Sequence, residues 1–277
     1  MKAPNNFDQV SQISKRCFDD IPIFSKLWNP IIEASFGISP FAEHPLMSLL
    51  RYVQSLKNTC QQTLYSIERL NDYSKSEASN VTEFYVQHYL YDFWGRVKTS
   101  TDIVALIINL VYELKLADRD CSLENGQFSA RLRSTYQNNP AIDKMAKDID
   151  RTRNWLSQFD KLRDIMVHKS GFEYSLVGGQ KFPIHIKIAW PKEITEDNYI
   201  EYDPRYPLDT LKKHKNEDML LDLLSKLNSN CISAYLITVD PLCLCNEIWQ
   251  ISAKTLNELL SNCEDQILKF MVESKSS

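Results

Sequence analysis

Glycine and proline are scarce in this chain, at 6 and 11 of 277 residues. So few turn-formers cannot serve the many tight connections of a loop-rich all-β fold. Long apolar runs are missing too. The longest, Ile103 to Tyr112 (IVALIINLVY), is about half of the roughly 20 residues that cross a bilayer, and charged residues flank it closely. No membrane span and no membrane partner is expected, and the run reads as a helix buried on most sides. The first residues contain no apolar core of a secretory signal, so a cytoplasmic location is expected. Nor is there an excess of positive charge: 32 Lys and Arg against 36 Asp and Glu leave a net charge of -4. Any contact with nucleic acid must then come from a local patch.

The seven cysteines include no CxxC pair, and their number is odd. Free thiols in a reducing compartment are the simplest reading. Cys243 and Cys245 (CLC) have no second Cys or His pair at matching spacing, whereas structural zinc needs four converging ligands. No metal and no cofactor is expected. The chain also lacks GxxxxGK[ST], GxGxxG, HExxH and GxSxG, which removes the usual nucleotide-loop, zincin and serine-hydrolase readings. Internal repeats and low-complexity segments are absent as well.

What the chain does contain is helical periodicity. Residues 1–40 read as an irregular segment packing on the core, because Pro22, Pro30 and Pro40 allow only short helical turns. From Leu46, apolar residues recur every three or four positions (Leu46, Leu49, Leu50, Val53, Leu56, Cys60, Leu64, Ile67), and a break follows at NDYSKSEASN. A second long helix is expected from Val81 to Leu116, with Gly95 marking a bend or close contact. A shorter one spans Phe128 to Tyr136, and another long one runs from Ala141 to His168, with Gly171 just past its end.

The period then changes. Phe172–Val177 and Pro183–Ala189 alternate like strands around a Gly-Gly pair, which predicts a β-hairpin over about 172–189. A polar connection leads to a helix capped by Asn216 and running to about Val239. A last helix covers Thr255 to Val272. The expected fold is all-α: a bundle of long antiparallel helices with one small inserted β-hairpin, forming a single helical domain over 41–273 with a tail at 274–277.

Most polar features have ordinary readings. The tripeptide Gly178-Gly179-Gln180 occurs in peptide release factors, but this acidic chain lacks their basic surface, and Gly-Gly between strands is a turn. Lys212, Lys213, His214 and Lys215 form a small basic run that reads as a solvated loop or a phosphate contact. His44 reads as a turn residue, His88 as a core-edge aromatic and His185 as a strand residue.

That leaves KLRDIMVHKSG, Lys161 to Gly171. Two readings are open. Arg163 can pair with Asp160 on the helix surface while His168 interacts with the last carbonyls. Alternatively, Arg163 and His168 are catalytic groups. Arg163 follows Leu156 and Phe159 by seven and four residues on the apolar face, where a purely solvated arginine is out of place. Lys169 adds positive charge beside His168.

The stretch RDIMVH resembles the arginine–polar–xxx–histidine signature of the HEPN superfamily (higher eukaryotes and prokaryotes nucleotide-binding), with Asp164 in the polar position. The resemblance covers the motif and the helical architecture from about Leu46 to Val239. It implies a metal-independent endoribonuclease in a bacterial toxin, phage-defence or stress role, acting as a homodimer. His168 would be the general base on the RNA 2′-hydroxyl, Arg163 the phosphate stabiliser and Asp164 an orienting group, with Lys161 and Lys169 as binding residues. The product would carry a 2′,3′-cyclic phosphate, and an antitoxin or a nucleotidyltransferase-type protein is an implied partner. Another implied role is that of a non-catalytic helical module binding a nucleotide, RNA or a protein partner. Residues five apart on a helix point about 140° from each other, so Arg163 and His168 of one chain converge poorly and two copies are expected to complete a site.

Overall fold

The computed structural model describes residues 6–74, 80–164, 173–175, 185–189, 236–239 and 241–275. Among them are eight α-helices: α1 (Asn6–Asp20), α2 (Ile23–Ser35), α3 (Pro45–Ser74), α4 (Asn80–Val111), α5 (Gly126–Thr135), α6 (Pro140–Asp164), α7 (Pro241–Asn262) and α8 (Glu264–Lys275). A short 3-10 turn covers Asp118–Asp120, and three strands are present: β1 (Glu173–Ser175), β2 (His185–Ala189) and β3 (Leu236–Val239). The protein is predominantly helical, as its periodicity predicts. The chain falls into two compact units, one of residues 1–65, 95–154 and 250–277, the other of 66–94 and 155–249. The span expected as one helical domain thus contributes to both.

In the first unit, the segment expected to be irregular is two helices. Pro22 occupies the N-cap of α2 with φ -57° and ψ -27° and provides no side-chain cap. Asn257 on α7 supplies one instead, its Oδ1 accepting from the Ile23 amide at 3.0 Å. Pro30 lies inside α2. A proline there costs about 3 kcal/mol, but burying Ile23, Phe24, Leu27 and Ile31 contributes about 1.5–3 kcal/mol each, so the helix persists. The aromatic face of Trp28 receives the Lys57 ammonium at 4.0 Å from the ring centroid.

Most of the α3 stripe is buried as its spacing requires (Leu46, Leu49, Val53, Leu56, Cys60, Leu64 and Ile67, continuing to Leu70), while Leu50 at its edge is half-buried. His44 is the residue that starts this helix. Its carbonyl accepts from Met47 and Ser48, and its Nδ1 accepts from the Leu46 amide.

The second long helix stops at Val111, five residues short of the expected Leu116. Glu113 adopts a left-handed φ of 47°. The Leu114 amide donates to the Asn109 carbonyl and the Glu113 amide to the Leu110 carbonyl. That pair of bonds is the usual left-handed helix stop, here made without glycine. The Asn109 side chain then binds both the amide and the carbonyl of Leu116, at 3.1 Å each. Gly95 was expected to mark a bend or a close contact. A Cβ added to it would meet nothing within 4 Å, so no neighbour requires glycine there.

The C-terminal region also departs from expectation. The single helix from Thr255 to Val272 is two, since α7 begins at Pro241 and a turn at Cys263 separates it from α8. The Cys263 thiol donates to the Met145 sulfur at 3.3 Å, and Asn262 Nδ2 donates to Asp148 Oδ2 at 3.1 Å, which anchors the turn. Ser274 and Lys275, expected in the tail, belong to α8, and Ser274 is buried.

In the second unit, β1 and β2 fall inside the two runs read as strands. They pair antiparallel with Tyr174 opposite Ile186. β3 pairs antiparallel with β2, Ile188 opposite Ile237, giving the order β1-β2-β3. The expected helix from Asn216 to Val239 is therefore a strand over Leu236–Val239, and its earlier part lies outside the described residues. The run LITV is rich in β-branched residues, and pairing with β2 decides its state.

Two stability outcomes follow. Gly95→Ala removes the backbone freedom of an exposed position inside α4 and should stabilise the protein by about 1 kcal/mol in denaturant unfolding; a loss of stability would show an unseen steric need. The second concerns Asp150, which accepts from Ser129 Oγ at 2.7 Å and pairs with Arg133 and with Arg153. Partial burial works to raise its carboxyl, but those hydrogen bonds and charges outweigh it and hold it below the ordinary 3.8. A carboxyl lowered in the folded state adds stability above its unfolded value and loses it as the pH falls through the folded one. Asp150→Asn should be less stable than wild type at neutral pH, and the gap should close in acid; a gap independent of pH would contradict this.

Candidate functional site

The start of α6 is set by local chemistry. Asn138 turns the chain with φ 62°, and the Asn139 side chain accepts from the amides of Ala141 at 3.0 Å and Ile142 at 3.4 Å. Pro140 takes the first helical position, where its missing N–H costs nothing. The helix then buries Ile142, Met145, Ala146, Ile149, Trp155, Leu156 and Phe159, one continuous apolar face.

Arg163 and Asp164 are the last two residues of α6, and Lys161 lies in the same final turn. Continuing the period, position 163 falls on the face of Leu156 and Phe159. The side chains of Lys161, Arg163 and Asp164 lie outside the described residues, as do all of His168 and Lys169.

The described surroundings, within the second unit, are aromatic. Phe159 packs on two tryptophans: Trp94 of α4 at 4.7 Å between centroids, and Trp155, one turn earlier on α6, stacked at 5.5 Å. All three rings are buried. Such clusters add about 0.5–1.5 kcal/mol per ring pair beyond area burial, so this part of α6 is held firmly just before its charged end.

Other candidates separate clearly. His88 is exposed and meets Tyr89 edge-on at 5.2 Å, and His185 stands in β2 opposite Ser175. The run Lys212–Lys215 and the tripeptide Gly178–Gln180 lie outside the described residues. Among the described residues no group of His, Cys, Asp or Glu is placed to hold a metal ion. Cys17, Cys60, Cys121, Cys245 and Cys263 are buried, and none of them is in a disulfide. Burial pushes the Cys263 thiol up to about 12, and burial with the charges of Asp118 and Asp120 pushes Cys121 up to about 11. Cys60 is also raised, by burial and by its neighbour Cys17. None of these three is a thiolate near neutral pH, so none suits nucleophilic chemistry.

One feature of α6 escaped the sequence reading. Lys144 and Lys147 are exposed, and Arg151 keeps 81% of its side-chain surface in solvent. The signal was present, as cations at intervals of three and four on the face opposite the apolar stripe. No helix of the described residues is long and apolar enough to cross a membrane. Comparison with family models, with curated proteins and with solved structures finds no match for this chain.

Truncating Phe159 tests the support of this helix end. Phe159→Ala removes a buried ring that packs on two tryptophans and should cost about 3–5 kcal/mol in denaturant unfolding, with a change in tryptophan fluorescence. A cost below about 1 kcal/mol would mean that the cluster does not hold α6.

Proposed function

We propose that this protein is a metal-independent endoribonuclease of the HEPN type, a helical bundle in which the β1–β2 pair is a small hairpin insert. The observation that carries the reading is the RDIMVH stretch, whose Arg163 and Asp164 close a 25-residue amphipathic helix in a predominantly helical chain. The residue types suit the chemistry. A neutral imidazole takes a proton near pH 7, so His168 removes it from the RNA 2′-hydroxyl. The 2′-oxygen forms a bond to the adjacent phosphorus, the bond from phosphorus to the 5′-oxygen breaks, and that oxygen leaves with a proton. The products are a 2′,3′-cyclic phosphate and a 5′-hydroxyl. The Arg163 guanidinium holds two phosphate oxygens and stabilises the charge that develops on them. Asp164 orients Arg163 or His168, and Lys161 and Lys169 add charge for the strand. No metal or cofactor takes a part in these steps.

Helix geometry makes the homodimer part of this proposal, because residues five apart diverge by about 140° on one chain. A toxin or defence protein in the cytoplasm, restrained by an antitoxin or a nucleotidyltransferase-type partner, is the setting that the resemblance suggests. The net charge of -4 favours one other reading, a non-catalytic helical module of the same type that binds a nucleotide, RNA or a protein.

The experiment is cleavage of RNA with EDTA present. His168→Ala should lower the rate by about a hundred- to ten-thousand-fold; equal rates in the two proteins would remove His168 from catalysis. Arg163→Ala should be similarly impaired. Mixing the two inactive variants should restore up to about a quarter of the wild-type rate, since half of the mixed-chain sites are complete in a two-fold dimer. Failure of the mixture to recover activity would place each site within one chain.

A further inference from the structure

We propose that the solvent face of α6 is a track for the phosphate backbone of single-stranded RNA, with Lys144, Lys147 and Arg151 as its contacts. This rests on the ribonuclease reading above and extends it to how the strand is held.

The argument begins with how the charges of α6 are used. Two of its described carboxylates, Asp148 and Asp150, are engaged within the fold. Asp148 accepts from Asn262 at 3.1 Å and pairs with Arg151 at 3.0 Å. Asp150 binds Ser129, Arg133 and Arg153. The cations are left outward. Lys144 and Lys147 are exposed, and among the described residues neither forms an ion pair. Arg151 reaches Asp148 with one nitrogen, yet 81% of its side chain remains in solvent, which leaves donors free for a second partner.

Geometry aligns them. At 100° per residue, positions 144, 147 and 151 lie within about 60° of arc, with axial steps of about 4.5 Å and about 6 Å. Asp143, exposed in the first turn, falls outside that arc. The result is a row of cations on a rigid helix whose opposite face is anchored by Ile142, Met145, Ala146 and Ile149. A regularly spaced polyanion is the ligand that such a row complements. Lysines meet phosphates as point charges, and the Arg151 guanidinium can add a two-pronged contact. The row also answers the question raised by the acidic composition, because it is a local patch that owes nothing to net charge.

The test uses a 2′-O-methyl RNA oligonucleotide, which binds but cannot be cleaved, in a fluorescence anisotropy titration at several salt concentrations. The proteins are wild type, the double variant Lys144→Gln/Lys147→Gln, and Lys15→Gln as a control at an exposed lysine of α1. Losing two phosphate contacts should lower the slope of log affinity against log salt by about 1.4, which is about 25-fold in Kd near 0.1 M salt. The control should match wild type, and circular dichroism should show all three folded. Unchanged affinity and slope in the double variant, with wild type still cleaving RNA in EDTA, would overturn the track and leave the ribonuclease reading standing. A wild type that neither binds nor cleaves RNA would overturn both. Polyglutamate binding as tightly as RNA, with the same loss in the double variant, would overturn the track in favour of an acidic protein partner.

Discussion

The C-terminal end of α4 is the constraint to which much of the first unit answers. From Ile103 to Val111 this helix is apolar on nearly every side, and Val104, Ala105, Ile107 and Ile108 are fully buried. A helix buried in this way carries its last carbonyls, and those of the turn that follows it, into the interior, where each needs a donor. The chain supplies them from three directions. Gln266 of α8 donates to the Val111 carbonyl at 2.8 Å, Tyr136 to that of Tyr112 at 3.1 Å, and Arg131 of α5 to that of Leu114 at 3.3 Å. Leaving one such group without a partner costs about 1–3 kcal/mol, a large share of a typical folding free energy. The positions of α5 and α8 are therefore tied to the end of α4 by polar bonds as well as by apolar packing.

The same logic explains the polar groups inside the helical core. Thr63 and Ser35 are buried and return their hydroxyls to carbonyls one turn back, at 2.8 Å each. Lys98 answers two carboxylates, Asp102 at 3.3 Å and Glu124 at 2.7 Å, and Ser122 also donates to Asp102. Burial raises the Asp102 carboxyl despite the Lys98 ammonium beside it. Thr63 and Ser35 close bonds within their own helices, Lys98 and Ser122 join α4 to the segment before α5, and the chemistry of all four is structural. Against that background the outward cations of α6 differ, because among the described residues neither Lys144 nor Lys147 forms an ion pair.

Much of the helical order was legible in single residues. Leu46, Val53, Cys60 and Ile67 share one face at steps of seven, and the structure buries all four. The helix expected from Ala141 is α6, which begins one residue earlier at Pro140, where the Asn139 side chain accepts from the first amides. The errors have definite causes. Proline in the first forty residues predicts broken helices, yet Pro22 stands at the N-cap of α2 and Pro30 is carried by the burial around it. The apolar run predicts the second long helix to Leu116, whereas Glu113 takes the left-handed position that stops α4 at Val111. The apolar period ran on through Cys263, where a turn anchored to Met145 and Asp148 divides α7 from α8. Of the candidate site, Lys161, Arg163 and Asp164 were correctly assigned to a long amphipathic helix, and His168 and Lys169 lie beyond the described residues.

By itself the amino-acid sequence determined the class of this protein and its helical faces. Spacing at three and four residues depends only on the geometry of one helix, so it can be read without knowing any neighbour. Tertiary structure alone decided where helices stop and which runs become strands. α4 ends where a side chain of α8 takes its last carbonyl and one of α5 takes that of Leu114 just beyond it, and Leu236–Val239 is a strand because β2 offers it a ladder. Those outcomes depend on partners remote in sequence, and no local propensity contains them. The charged face of α6 joins the two kinds of information. Its spacing is written in the chain, but only the packed structure shows that the carboxylates of Asp148 and Asp150 are engaged while Lys144 and Lys147 remain in water.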